Sequence, residues 1–135
     1  MAVAIEVPGG VMATILLVDD EEFSRATTRK MLEEQGHSVL EASSGAQAMM
    51  DIRANAFDLV ITDVIMPNMD GIELMIELRK IQPSLPVLAI SGGGRTHNLD
   101  ILDAAEQLGA TSVLAKPFAR ANLIEVVTRL LDAAA

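Results

Sequence analysis

Five polar residues of this chain stand where an apolar run stops. Asp19 and Asp20 follow Thr14 to Val18 (TILLV), and Asp63 follows Leu59, Val60, Ile61 and Thr62. Ser91 ends the run that starts at Pro86, and Lys116 follows Ser112 to Ala115. Brought together, carboxylates, a hydroxyl and an ammonium make a site for a phosphoryl group. Carboxylates crowded into one cleft repel each other and raise one another's pKa. A hard divalent cation relieves that, and carboxylate oxygens without Cys or paired His suit Mg²⁺. Transfer of a phosphoryl group needs mainly positioning and electrostatic stabilisation. A carboxylate can itself be the acceptor, giving an aspartyl-phosphate. Asp63 is the best placed acceptor, being central in the sheet and flanked on both sides. Taken singly, each residue has a plainer reading. An acid pair can open a helix, a strand-end serine can satisfy backbone groups, and Pro117 can start a helix at its first turn.

The elements decide whether these residues meet. Short apolar runs alternate with helical periodicity along the whole chain after Met12. Strands are expected at 14–18, 38–42, 59–63, 86–91 and 112–115. Helices are expected over 23–35, 45–55, 72–81 and 98–108, and a last one carries Leu123, Val126, Val127, Leu130 and Leu131 on one stripe. Ala46, Met49 and Met50 are expected to share a face of the second helix, and Ile101, Leu102, Ala105 and Leu108 to point inward from the fourth. Gly36 and Gly109 are the expected helix stops. The second strand is the least apolar and reads as an edge. This βα alternation predicts an α/β fold, a doubly wound five-stranded parallel sheet with helices on both faces. In such a sheet all C-terminal strand ends share one edge, which is where ligands bind.

Composition sets the outer bounds. At 135 residues the chain is one domain, with half its residues hydrophobic. It has no Trp, no Tyr, no Cys and three Phe, so its core is aliphatic, with eight Met available as filler. A net charge of −9 argues against nucleic acid and anionic membranes as direct partners. No apolar run approaches the roughly 18 residues of a membrane span, and no signal peptide is visible; the expected location is cytoplasmic. Residues 1–12, with Pro8-Gly9-Gly10, read as a flexible arm before a domain at 13–132.

The motifs Ile15-Leu16-Leu17-Val18-Asp19-Asp20-Glu21, Asp63-Val64-Ile65-Met66-Pro67-Asn68-Met69-Asp70-Gly71, Ser91-Gly92 and Lys116-Pro117-Phe118 together closely resemble the receiver domain of two-component response regulators, in a stand-alone, CheY-like form. The resemblance runs from Thr14 to about Leu131. It implies a flavodoxin-like fold with strand order 2-1-3-4-5. It implies that Asp63 accepts a phosphoryl group from a phosphohistidine on a sensor histidine kinase or histidine phosphotransfer protein. It implies Mg²⁺ held by Asp20, Asp63 and the backbone carbonyl of Ile65, with Asp19 acting largely through water. Ser91 would be the switch hydroxyl, Lys116 the counter-ion of the phosphoryl group, and Gly92 a small residue that admits it. A cis bond between Lys116 and Pro117 is also implied.

One position departs from the family pattern. Val113 stands where an aromatic switch residue is usual, so readout is expected in the Ser91 loop, with its three glycines, and in the helix from Asn98. No DNA-binding or other output domain is expected after Leu131, so the signal would leave by binding an unknown downstream protein or by passing the phosphoryl group on. His37 and His97 read as surface or loop residues and not as phosphoryl carriers. The alternative is a Mg²⁺-dependent phosphatase or phosphotransferase working through an aspartyl-phosphate. Enzymes of the haloacid-dehalogenase type usually carry a second Asp two places after the nucleophile, and here that place is Ile65. A receiver-like module that is never phosphorylated is a third class, and the intact Asp, Ser and Lys set argues against it.

Overall fold

The computed structural model describes residues 12–64, 66, 71–91 and 98–134, with backbone only at 98–102. Five strands alternate with five helices: β1 (Thr14–Val18), α1 (Glu22–Glu33), β2 (Ser38–Ala42), α2 (Gly45–Ala54), β3 (Leu59–Asp63), α3 (Gly71–Ile81), β4 (Val87–Ser91), α4 (Asn98–Gln107), β5 (Ser112–Ala115) and α5 (Arg120–Ala134). All four strand pairings are parallel, and the order is β2-β1-β3-β4-β5. The order implied by the resemblance is therefore the one observed, and β2 is an edge.

Burial follows from that order. Every residue of β3 and β4 is buried, as expected of strands covered on both faces. Alternation along the strands divides the core in two. Ile15, Leu17, Leu59, Ile61, Leu88 and Ile90 face α1 and α5, where Leu32, Leu123 and Val127 meet them. Leu16, Val18, Val60, Val87 and Ala89 face the other helices, meeting Met49, Ile52, Leu74, Met75 and Leu78. The α5 stripe is as expected, with Leu123, Val127, Leu130 and Leu131 buried and Val126 packed beside them.

Local chemistry sets the helix ends. Glu21 caps α1, its carboxylate accepting from Phe23 N at 3.1 Å and Ser24 N at 2.7 Å. The acidic run thus does serve as a helix start, one residue earlier than expected. Gly36 (φ 92) and Gly109 (φ 118) take the positive backbone angle that follows a helix end. The last helix continues to Ala134, past the expected domain end at 132.

Several sequence expectations are corrected. In α2 the buried residues are Gly45, Ala48, Met49 and Ile52, while Ala46 and Met50 are exposed. The stripe there is shifted because Ala48 and Ile52 lie one turn apart beneath the helix. Leu108 lies just past α4 and is exposed, whereas Ala105 is fully buried. His97, Gly92 to Gly94 and the arm through Val11 lie outside the described residues.

His37 sits in a connection, as expected, and is buried there at 7% exposure. Its Nδ1 accepts a hydrogen bond from Ala13 N at 3.1 Å, and so must be unprotonated. Burial holds its pKa below the ordinary 6.5. The unfolded chain therefore binds the proton more readily than the folded one, and stability from this group is present above pH 6.5 and declines as pH falls below it. Asn keeps a comparable acceptor and cannot titrate. The stability advantage of wild type over His37→Asn is expected to shrink between pH 7.5 and 5 in denaturant unfolding. A constant difference would show that His37 is not the titrating group.

Candidate functional site

The parallel register brings the strand-end residues into one cleft. Val18 pairs with Thr62, so Asp19 and Asp63 come next in step on neighbouring strands. Asp63 pairs with Ile90, and Ser91 pairs with Ala115, which places Lys116 one residue beyond. Backbone bonds lock this edge: Asp19 N donates to Ala42 O at 3.1 Å, Val64 N to Ile90 O at 2.8 Å, and Lys116 N to Ser91 O at 2.8 Å. The Lys116–Pro117 bond is cis, as expected.

Asp19, Asp20 and Asp63 each offer a carboxylate oxygen within 4.8 Å of the others. Asp19 and Asp63 are buried at 4% and 9% exposure, and Asp20 is exposed. Ser91 is buried at 1% on the same edge. Ile65 lies outside the described residues.

Lys116 Nζ is the positive charge in the cleft. It donates to Ser24 Oγ at 2.8 Å, Asp19 Oδ2 at 3.1 Å and Asp63 Oδ2 at 3.3 Å. It also stands 3.3 Å from Asp63 Oδ1, without the geometry of a hydrogen bond. That buried oxygen has no hydrogen-bond donor among the described residues. Asp19 is better served, since Glu21 N donates to its Oδ1 at 2.9 Å.

The two buried acids consequently titrate apart. Burial, then hydrogen bonding with Asp19, then the Asp19 charge push Asp63 up to about 8, against the pull of Lys116. Burial opposes the Asp19 charge, yet hydrogen bonding with Asp63, the Glu21 amide and Lys116 hold its pKa below the ordinary value. Burial likewise works against the Lys116 ammonium, but the charges of Asp63 and Asp19 outweigh it and raise its pKa. Three carboxylates without sulfur or imidazole, one of them with an unserved oxygen, fit a hard cation such as Mg²⁺.

Residues that sequence reasoning had not assigned to the site also shape it. Ser24, in the first turn of α1, accepts the shortest Lys116 bond. Arg25 donates to Asp19 O at 2.7 Å and to Glu41 Oε1 at 2.7 Å, tying the Asp19 backbone to the edge strand. Their positions after the acidic run, on the first turn of α1, were the available signal. A groove of about 350 Å³ lies alongside, lined by Phe23, Ser24, Thr27, Lys116, Pro117 and Phe118 among others. Another of similar size lies between α2 and α3, away from the carboxylates.

The sequence matches the response regulator receiver domain over residues 15–128. The chain belongs to that family. Among curated relatives, this receiver is 36% identical over 122 residues to the sensor kinase CckA of Brucella abortus (strain 2308), covering 89% of this chain and 13% of that protein. It is 34% identical over 123 residues to the transcriptional regulatory protein GlrR of Escherichia coli (strain K12), covering 91% of this chain and 27% of that protein. The receiver therefore spans under a third of these relatives. Among solved structures, the receiver domain of NtrX from Brucella abortus superposes with a TM-score of 0.82 at 35% identity, covering 87% of this chain and 98% of that one. A CheY-like receiver domain protein from Methanospirillum hungatei JF-1 gives 0.82 at 26%, covering 92% and 97%.

Gly71 supports the cleft from below. It opens α3, and its N–H donates to Val64 O at 2.9 Å. A Cβ there would lie 1.9 Å from Asp63 O and 2.6 Å from Val64 Cα, both backbone atoms that cannot step aside. Gly71→Ala is expected to destabilise the receiver by about 1–3 kcal/mol or more, as overpacking does, and to shift the Asp63 amide resonance. Stability within about 0.5 kcal/mol of wild type would show that α3 can back away from β3.

Proposed function

We propose that this receiver is a phosphorylatable signalling switch of a two-component or phosphorelay system, with Asp63 as phosphoryl acceptor. The observation that carries this is the placement of Asp63. It is buried at the end of the central strand, beside Asp19 and Asp20, with Lys116 3.3 Å away.

Asp20 and Asp63 would hold Mg²⁺ directly, with Asp19 acting through water. The Ile65 carbonyl is added on family resemblance alone. Asp19 suits an indirect role, since Glu21 N and Lys116 Nζ already occupy its two oxygens. When bound, Mg²⁺ supplies positive charge that neutralises the acids and the incoming phosphoryl oxygens.

The chain's own residues do the rest. An Asp63 carboxylate oxygen attacks phosphorus of a phosphohistidine on a sensor histidine kinase or histidine phosphotransfer protein. The P–N bond breaks, its electron pair stays on the imidazole, and the ring recovers a proton. Lys116 turns its ammonium to the transferred oxygens, and Ser91 donates its hydroxyl to one of them. The product is a mixed anhydride at Asp63. It favours an active shape only by making better contacts there than in the resting shape. The downstream target is proposed to be a protein, and the acidic charge disfavours direct binding of nucleic acid or membrane. With no helix among the described residues long and apolar enough to cross a membrane, the setting proposed is the cytoplasm.

Incubation with acetyl phosphate and Mg²⁺ tests the reading. Intact mass spectrometry is expected to show one acid-labile phosphoryl group on wild type and none on Asp63→Asn or in chelator. Undiminished labelling of Asp63→Asn would falsify the assignment.

A further inference from the structure

The ammonium of Lys116 has three protons to donate. Its acceptors are Ser24 Oγ at 2.8 Å, Asp19 Oδ2 at 3.1 Å and Asp63 Oδ2 at 3.3 Å. The shortest bond goes to the one partner that is not an acid. It spans 92 residues of sequence, joining the β5–α5 connection to the first turn of α1. The Ser24 backbone is itself held, because its N–H donates to the capping carboxylate of Glu21 at 2.7 Å.

A divalent cation among the carboxylates draws on the charge of the same two acids that hold Lys116, Asp63 directly and Asp19 through water. Like charges a few ångströms apart also repel strongly in a partly buried cleft. Two of the three contacts of Lys116 are thus in competition with the cation, and the Ser24 contact is not. The lysine stem borders the open groove between α1 and the β5–α5 connection, so solvent is close at hand. A flexible four-carbon stem that has lost its acceptors gains rotamer freedom by swinging into that space.

We propose that Ser24 is a positioning residue for Lys116. Its hydroxyl keeps the ammonium over the cleft when a cation claims the carboxylates, so that the ammonium stands ready for a phosphoryl oxygen. This rests on the reading of Asp63 as the phosphoryl acceptor. Ser24 touches neither the cation nor the phosphoryl group, and acts only through Lys116.

Beryllofluoride with Mg²⁺, a mimic of the phosphoryl group, provides the test, with binding followed by amide NMR on the full chain. Ser24→Ala is expected to weaken beryllofluoride binding by about threefold to tenfold, the range for losing one ordinary net hydrogen bond in a part-buried site. Its affinity for Mg²⁺ alone is expected to stay at the wild-type level. Ser24→Thr, which keeps the hydroxyl, restores beryllofluoride binding. In a Lys116→Gln background, Ser24→Ala produces no further loss, as a double-mutant cycle requires of a residue that works through its partner. Unchanged or tighter binding by Ser24→Ala overturns the proposal, as does an equal loss in the Lys116→Gln background. Wild type that takes up no beryllofluoride would instead overturn the acceptor reading of Asp63, and the role of Ser24 with it.

Discussion

Two acids, Asp19 and Asp63, are buried next to each other, and one ammonium, Lys116, faces both. Charge in a low-dielectric interior is unfavourable unless it is paired and hydrogen-bonded. Here it is only partly so. The balance leaves Asp63 pushed up to about 8 and one of its oxygens without a donor among the described residues. A buried acid so poorly served is a cost in a structural protein and a resource in a signalling one. It is a place where adding or removing charge changes what the surroundings prefer.

The fold exists around that cost. A parallel sheet puts every strand's C-terminal end on one edge, so four separate stretches of chain, at the ends of β1, β3, β4 and β5, deliver side chains to one cleft. Full burial of β3 and β4 fixes the depth of Asp63 and Ser91. The aliphatic core on both faces makes the platform rigid, since packed interiors yield little to local strain. Around the rim, Arg25 and Glu41 secure the Asp19 backbone, and Gly71 lets α3 close against the end of β3 with no side chain between.

Much of this is legible in the sequence. Leu59 to Ile61 announced a strand buried on both faces, and the βα alternation placed Asp19, Asp20, Asp63, Ser91 and Lys116 on one edge. Gly36 and Gly109 marked helix stops because few other residues accept a positive φ. What stayed hidden depended on single contacts between distant residues. Ser24 looked like any helix serine until the β5–α5 connection brought Lys116 to it. His37 looked like a connection residue, and the Ala13 amide decided its burial. Met50 looked inward because Met is apolar, yet scattered exposed apolar residues are ordinary. Phe23 is 78% exposed, and periodicity could not place it, because α1 has few apolar residues from which to read a face.

The carboxylate cleft is an electrostatic cost that Mg²⁺ is proposed to relieve. Denaturant unfolding of wild type and Asp63→Asn, each with and without Mg²⁺, tests it most directly. Replacing the Asp63 carboxyl by a neutral amide is predicted to leave the protein at least as stable as wild type without Mg²⁺. Mg²⁺ at a hundred times its dissociation constant is predicted to stabilise wild type by about 2.7 kcal/mol, and the variant by far less. A strongly destabilised Asp63→Asn without Mg²⁺, or an equal Mg²⁺ gain in both proteins, would contradict the account.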